Sequence, residues 1–165
     1  MDTAYKTTLE LDKVLNRAVQ LCACQETKEM MQALEPAPTI EDERYDLAQT
    51  NAINALLIKN GSPRFGSVRE VRRIVAHARK GGILSMGELL EIAATLRNFS
   101  GLSQWYGLSE HEMLPTDDLF FALAPQPVLE KQISESILSP EEMADTASVT
   151  LHDLRRKIRQ TEDSI

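Results

Sequence analysis

The chain has 165 residues, 42% apolar and 26% charged, with a formal charge of −7. This composition excludes a disordered tract, and no apolar run approaches the roughly 20 residues that a bilayer crossing needs. The acidity argues against a general nucleic-acid binder, and one domain with a real core is the expectation for this length.

The opening "MDTAYKTTLELDKVL" carries charge at helical spacing where a signal peptide would have an unbroken apolar segment, so the cytoplasm is the expected compartment. From Thr8 the spacing predicts a helix with Leu9, Val14, Leu15, Ala18 and Leu21 on one face. Cys22 and Cys24 are expected within helical "NRAVQLCACQ" as reduced, small apolar residues. Their one-residue gap is not a zinc half-site, no second pair exists, and His77, His111 and His152 lack i, i+4 partners, so no metal site is expected. A short helix through Met30, Met31 and Leu34 stops at "EPAP". Thr39 then precedes the long "IEDERYDLAQTNAINALLIKN", with Gly61 in a C-cap position.

Gly61-x4-Gly66 matches the first half of a phosphate loop, but Ser67 and Val68 follow where lysine and Ser/Thr are required, and Pro63 removes a donor. A connector between helices is the reading. Six basic residues and one acidic lie between Arg64 and Lys80, a local +5 that leaves −12 for the remainder. The stretch "SVREVRRIVAHARK" reads as a helix with Val71, Ile74, Val75 and Ala78 on one face and Arg69, Arg72, Arg73 and Lys80 opposite, closed by Gly81 and Gly82. That basic face is either a surface for phosphates or an acidic partner domain, or the solvated back of a packed helix.

Ser85 and Glu88 then form an S-x-x-E capping box, with Leu84 and Leu89 placed as its hydrophobic staple. Trp105 and Tyr106, at helical spacing with Leu102 and Phe99, read as core rather than as a base-stacking platform. Ser109 and Glu112, flanked by Leu108 and Met113, repeat the capping device. Pro127 suits the first position of a further helix. The carboxylate pairs Asp117–Asp118 and Glu141–Glu142 sit at expected helix starts, where the dipole favours them, and need no catalytic role. No Ser-His-Asp or Cys-His arrangement is suggested by spacing, so no catalytic residue is assigned.

The last segment, "LHDLRRKIRQTEDSI", places Leu151, Leu154, Ile158 and Ile165 on one heptad stripe, with Arg155, Arg156, Lys157 and Arg159 off it. Such a stripe wants a partner helix, and no Gly, Asn or Pro closes it, so the expectation is a longer helix interrupted at Ile165. Because strand-like alternation is nearly absent, an all-α bundle is predicted.

Three stretches, "TLELDKVL", "FGSVREVRRIVAHARKGGILSMGELLEIAATLR" and "ADTASVTLHDLRRKIR", together resemble bacterial MutS-like proteins of the second type, in order and in spacing. The resemblance covers essentially the whole chain and contains no catalytic motif. It implies a helical core over residues 1–145 and the start of a lever helix over 146–165. It also implies a clamp, an ABC-type ATPase and a small MutS-related nuclease domain outside these residues. Such proteins are described as dimeric users of ATP and Mg that bind DNA, suppress recombination or act on collided ribosomes. The resemblance therefore implies no cofactor in this chain, and partners in the remaining domains, DNA or the ribosome. At "LSPEEMAD" the residues read as a helix start capped by Ser139, whereas the family pattern resembles a turn. Two other readings stay open: a nucleic-acid module using the basic helix, and a self-contained adaptor that dimerises through its last helix.

Overall fold

The computed structural model describes residues 8–64, 66, 68–108 and 110–163. It is predominantly α, with eight helices and one two-stranded hairpin among the described residues. None of these helices is long and apolar enough to cross a membrane. The chain forms two compact units, Met1–Gly61 with His111–Asp117, and Ser62–Glu110 with Asp118–Ile165.

The first unit contains α1 (Leu11–Leu21), α2 (Gln25–Gln32) and α3 (Ile40–Asn60). Helix α1 starts later than the spacing suggests, because Glu10 takes a left-handed conformation, φ 55°. Its packed face is also rotated: Leu11, Leu15, Ala18 and Val19 are half-buried, while Leu9, Val14 and Leu21 are exposed. The two cysteines are not within a helix. Cys22 ends α1 in an extended conformation and Cys24 is the N-cap residue of α2, where its thiol meets the Thr27 hydroxyl at 3.1 Å. Helix α3 begins as its sequence requires: the Thr39 hydroxyl accepts the Asp42 N–H at 3.1 Å, and Glu41, Asp42 and Glu43 complement the dipole. Gly61, at φ 73°, ends it.

Among the described residues 110–114 no helix starts. Ser109 lies outside the described residues, and Glu110–Leu114 is irregular. Pro115 disfavours helix in the residue before it, and its carbonyl accepts 3.0 Å hydrogen bonds from both Tyr45 Oη and Gln49 Nε2. These bonds tie residues 111–117 to α3, a pairing about seventy positions apart in sequence that no local pattern announces.

The second unit is built on α5 (Met86–Tyr106), about 31 Å long at 1.5 Å per residue. Both halves of its capping box form: Ser85 Oγ accepts the Glu88 N–H, and Glu88 Oε2 accepts the Ser85 N–H at 2.7 Å. Ile133 of helix α7 (Pro127–Ser136) and Ile137, which follows it, pack against α5 at Ala93, with Met86, Leu89, Leu90 and Ile92 around them. The small side chain of Ala93 lets the two backbones approach. Trp105 and Tyr106 are core, as expected, and Tyr106 stacks on Phe120 of α6 (Asp117–Phe121) with ring centroids 3.9 Å apart.

Helix α4 spans only Arg72–Arg79, so the helix expected over residues 67–80 is shorter at its start. Val71 is its N-cap residue and offers no side-chain acceptor, Arg69 precedes the helix, and Ser67 is not among the described residues. Nor does a helix start at Ser139. Ile137–Ser139 (β1) and Glu142–Met143 (β2) make an antiparallel hairpin across Pro140–Glu141, so the Glu141–Glu142 pair lies in a turn and strand. Ile137 and Ala144 are both buried, and the chain reverses between them to bury both, overriding the local capping signal. A 3-10 turn (Asp145–Ala147) leads into α8 (Val149–Glu162).

Candidate functional site

The most organised surface is the start of α8. Ser148 Oγ accepts the Leu151 N–H at 3.1 Å, and this cap aligns the helix with the preceding turn. Two arginines from α8 then reach back. Arg155 Nη1 donates to the Met143 carbonyl at 2.8 Å and to Asp145 Oδ1 at 2.5 Å, while Arg159 Nη2 donates to Asp145 Oδ2 at 3.0 Å. One carboxylate thus holds two consecutive turns of α8 against the 3-10 turn that precedes it. The Arg155 hydrogen bond, followed by that of Arg159, keeps the Asp145 carboxyl below its ordinary range. Arg155 and Arg159, which lie off the heptad stripe, are thus ion-paired to Asp145. Their i, i+4 spacing, with an aspartate just before the helix, was the available signal.

In α8, held by this clamp, the heptad stripe is exposed at two of its described members. Leu151 is half-buried, whereas Leu154 and Ile158 are 53% and 55% exposed. Ile165, the fourth stripe residue, lies outside the described residues. Lys157 flanks the stripe on one side and Arg155 on the other.

The basic segment is distributed differently from the wheel drawn on the sequence. Ile74 is buried, but Val75 is 42% exposed and Ala78 is exposed, so the apolar face is only partly covered. Arg72 and Arg73 occupy the first turn of α4, where the helix dipole disfavours positive charge. Arg69 lies in the preceding irregular stretch, and Lys80 is the C-cap residue.

In the glycine connector, two of the described residues already have structural roles. Gly61 is the C-cap of α3, and the Gly66 N–H, which a phosphate would need, donates to Asn98 Oδ1 at 2.9 Å. Among the described residues no group of three His, Cys, Asp or Glu side chains is placed to hold a metal ion.

These features define a helical packing module whose candidate interaction surfaces are the α8 stripe and the basic segment. No family model and no solved structure matches the chain. It is, however, similar to curated proteins named Endonuclease MutS2. It is 31% identical to the Ruminiclostridium cellulolyticum protein over 167 residues, covering 100% of this chain and 21% of the relative. It is 30% identical to that of Acetivibrio thermocellus over 163 residues and 28% identical to that of Clostridium beijerinckii over 159, each covering 95% of this chain and 20% of the relative. The chain therefore spans about a fifth of the length of the relatives it matches.

Proposed function

We propose that the chain acts as the helical core and lever portion of an ATP-driven, MutS2-like machine in the cytoplasm. In this reading it contributes no catalytic group and transmits the state of an ATPase domain to a clamp that engages DNA or a collided ribosome. In this reading ATP and Mg are bound by other domains of a protein that works as a homodimer, and the engagement of the Gly66 N–H by Asn98 supports that placement. The observation that carries the reading is end-to-end similarity to one fifth of endonuclease MutS2. The exposed stripe of α8 supports it, because a lever needs a stiff helix with a partner.

The test is a chimera in which this chain replaces the matching fifth of the Ruminiclostridium cellulolyticum relative. We expect ATP hydrolysis stimulated by branched DNA, and loss of the stimulation, with basal hydrolysis retained, when Leu154 and Ile158 become Asp. A chimera whose stimulation ignores both substitutions, or micromolar ATP binding by this chain alone, overturns the proposal.

A second reading, direct nucleic-acid contact through Arg69, Arg72, Arg73 and Lys80, is favoured by the two arginines held at the unfavourable end of α4. Salt-sensitive DNA or RNA binding lost on replacing Arg69, Arg72 and Arg73 by Ala would support it, and binding indifferent to them would remove it.

A further inference from the structure

A second surface, in the first unit, is independent of the lever. Between α1, the turn after α2 and the start of α3 lies a groove of about 890 Å³. Its walls mix apolar and polar side chains: Leu11 and Leu15 sit one turn apart on α1, and Ile40 and Leu47 two turns apart on α3. Ile40 and Leu47 are both more than half exposed. Three carboxylates, Glu35, Glu43 and Asp46, stand along the same groove, Glu43 accepting the Ala37 N–H at 3.2 Å and Glu35 also engaged, and no lysine or arginine is among the described residues that line it. Tyr45 and Gln49, the latter also a lining residue of the groove, are committed to the Pro115 carbonyl, while Ile40 and Leu47 stay exposed.

We propose that this groove docks a basic amphipathic helix of a partner protein. A helix is the matching shape because the walls are themselves helices. The Ile40–Leu47 repeat of seven residues spans about 10.5 Å, the distance between every second knob of an apolar i, i+3/i+4, i+7 stripe. The charge is set by the rim: an apolar stripe flanked by Lys or Arg is attracted by this negative lining, with Asp46 as the contact to test, and one flanked by Glu or Asp is repelled.

The probe is a synthetic amphipathic peptide of about 14 residues with leucine at those positions and lysine at the others, compared with a counterpart carrying glutamate for lysine. Binding to the full chain is followed by fluorescence anisotropy, and the site is mapped by methyl NMR. We expect the lysine peptide to bind at least about tenfold tighter than the glutamate peptide and to shift the methyls of Leu11, Leu15 and Leu47. Leu47→Asp and, separately, Asp46→Lys should each weaken it at least about tenfold, with the helical circular dichroism unchanged because both sites are exposed. Equal binding of the two peptides, binding insensitive to both substitutions, or methyl shifts confined to the second unit overturns the proposal. So does self-association of the chain that Leu47→Asp abolishes, since the occupant would then be a second copy.

Discussion

Whether the α8 stripe is covered by this polypeptide can be decided by comparing two truncations of similar chemistry. Ile133, at the α5–α7 contact, is 7% exposed; Leu154 and Ile158 are 53% and 55% exposed. Each change to Ala removes three carbons, worth about 0.8 kcal/mol apiece, or about 2.4 kcal/mol, when the side chain is wholly out of water. Ile133→Ala also leaves a cavity beside Ala93 and Ile137, bringing its cost to about 3–4 kcal/mol. For Leu154→Ala and Ile158→Ala less than half of that transfer free energy is at stake. The better helix propensity of Ala returns a few tenths, so each should cost about 1 kcal/mol or less. Urea unfolding followed by Trp105 fluorescence reads the difference directly, because Trp105 is the chain's single tryptophan and is buried in the same unit. If Leu154→Ala or Ile158→Ala lowers stability as much as Ile133→Ala, those side chains are buried within this polypeptide and the lever reading fails.

Two further outcomes follow from local geometry. Three carboxylates are held below their ordinary pKa: Glu88 by the Ser85 N–H and hydroxyl, Glu130 by Arg97, and Asp145 by Arg155 and Arg159. A depressed folded-state pKa gives stability that is complete above the unfolded values, about 4.5 for Glu and 3.8 for Asp, and is lost as pH falls through the folded ones. The urea midpoint should therefore fall on acidification below about pH 5. Glu88→Gln, Glu130→Gln and Asp145→Asn combined should flatten that fall; an unchanged slope would refute the assignment. At the turn after α4, Gly81 has φ 81° and an added Cβ would meet no neighbour within 4 Å. Gly81→Ala should thus cost only the left-handed backbone strain, about 1–2 kcal/mol in the same titration, and a neutral effect would show that the turn relaxes.

What the sequence by itself determined lies within three or four residues of the signal. Thr39 and Ser85 start their helices because each hydroxyl accepts an N–H three positions on, and Pro127 stands first in α7 because its fixed φ suits that place. The heptad spacing puts Leu151, Leu154 and Ile158 on one side of α8, but how far each is covered, Leu151 half-buried and the other two exposed, is not written in that spacing. Tertiary structure decided the rest. The hairpin at residues 137–143 replaces a locally plausible helix start because burying Ile137 and Ala144 outweighs one cap. Residues 111–117 join α3 through the Pro115 carbonyl, and Asp145 clamps α8 through arginines ten and fourteen positions ahead. Local hydrogen bonds are written in adjacent residues. The competition among distant surfaces for burial is settled only when the whole chain has packed.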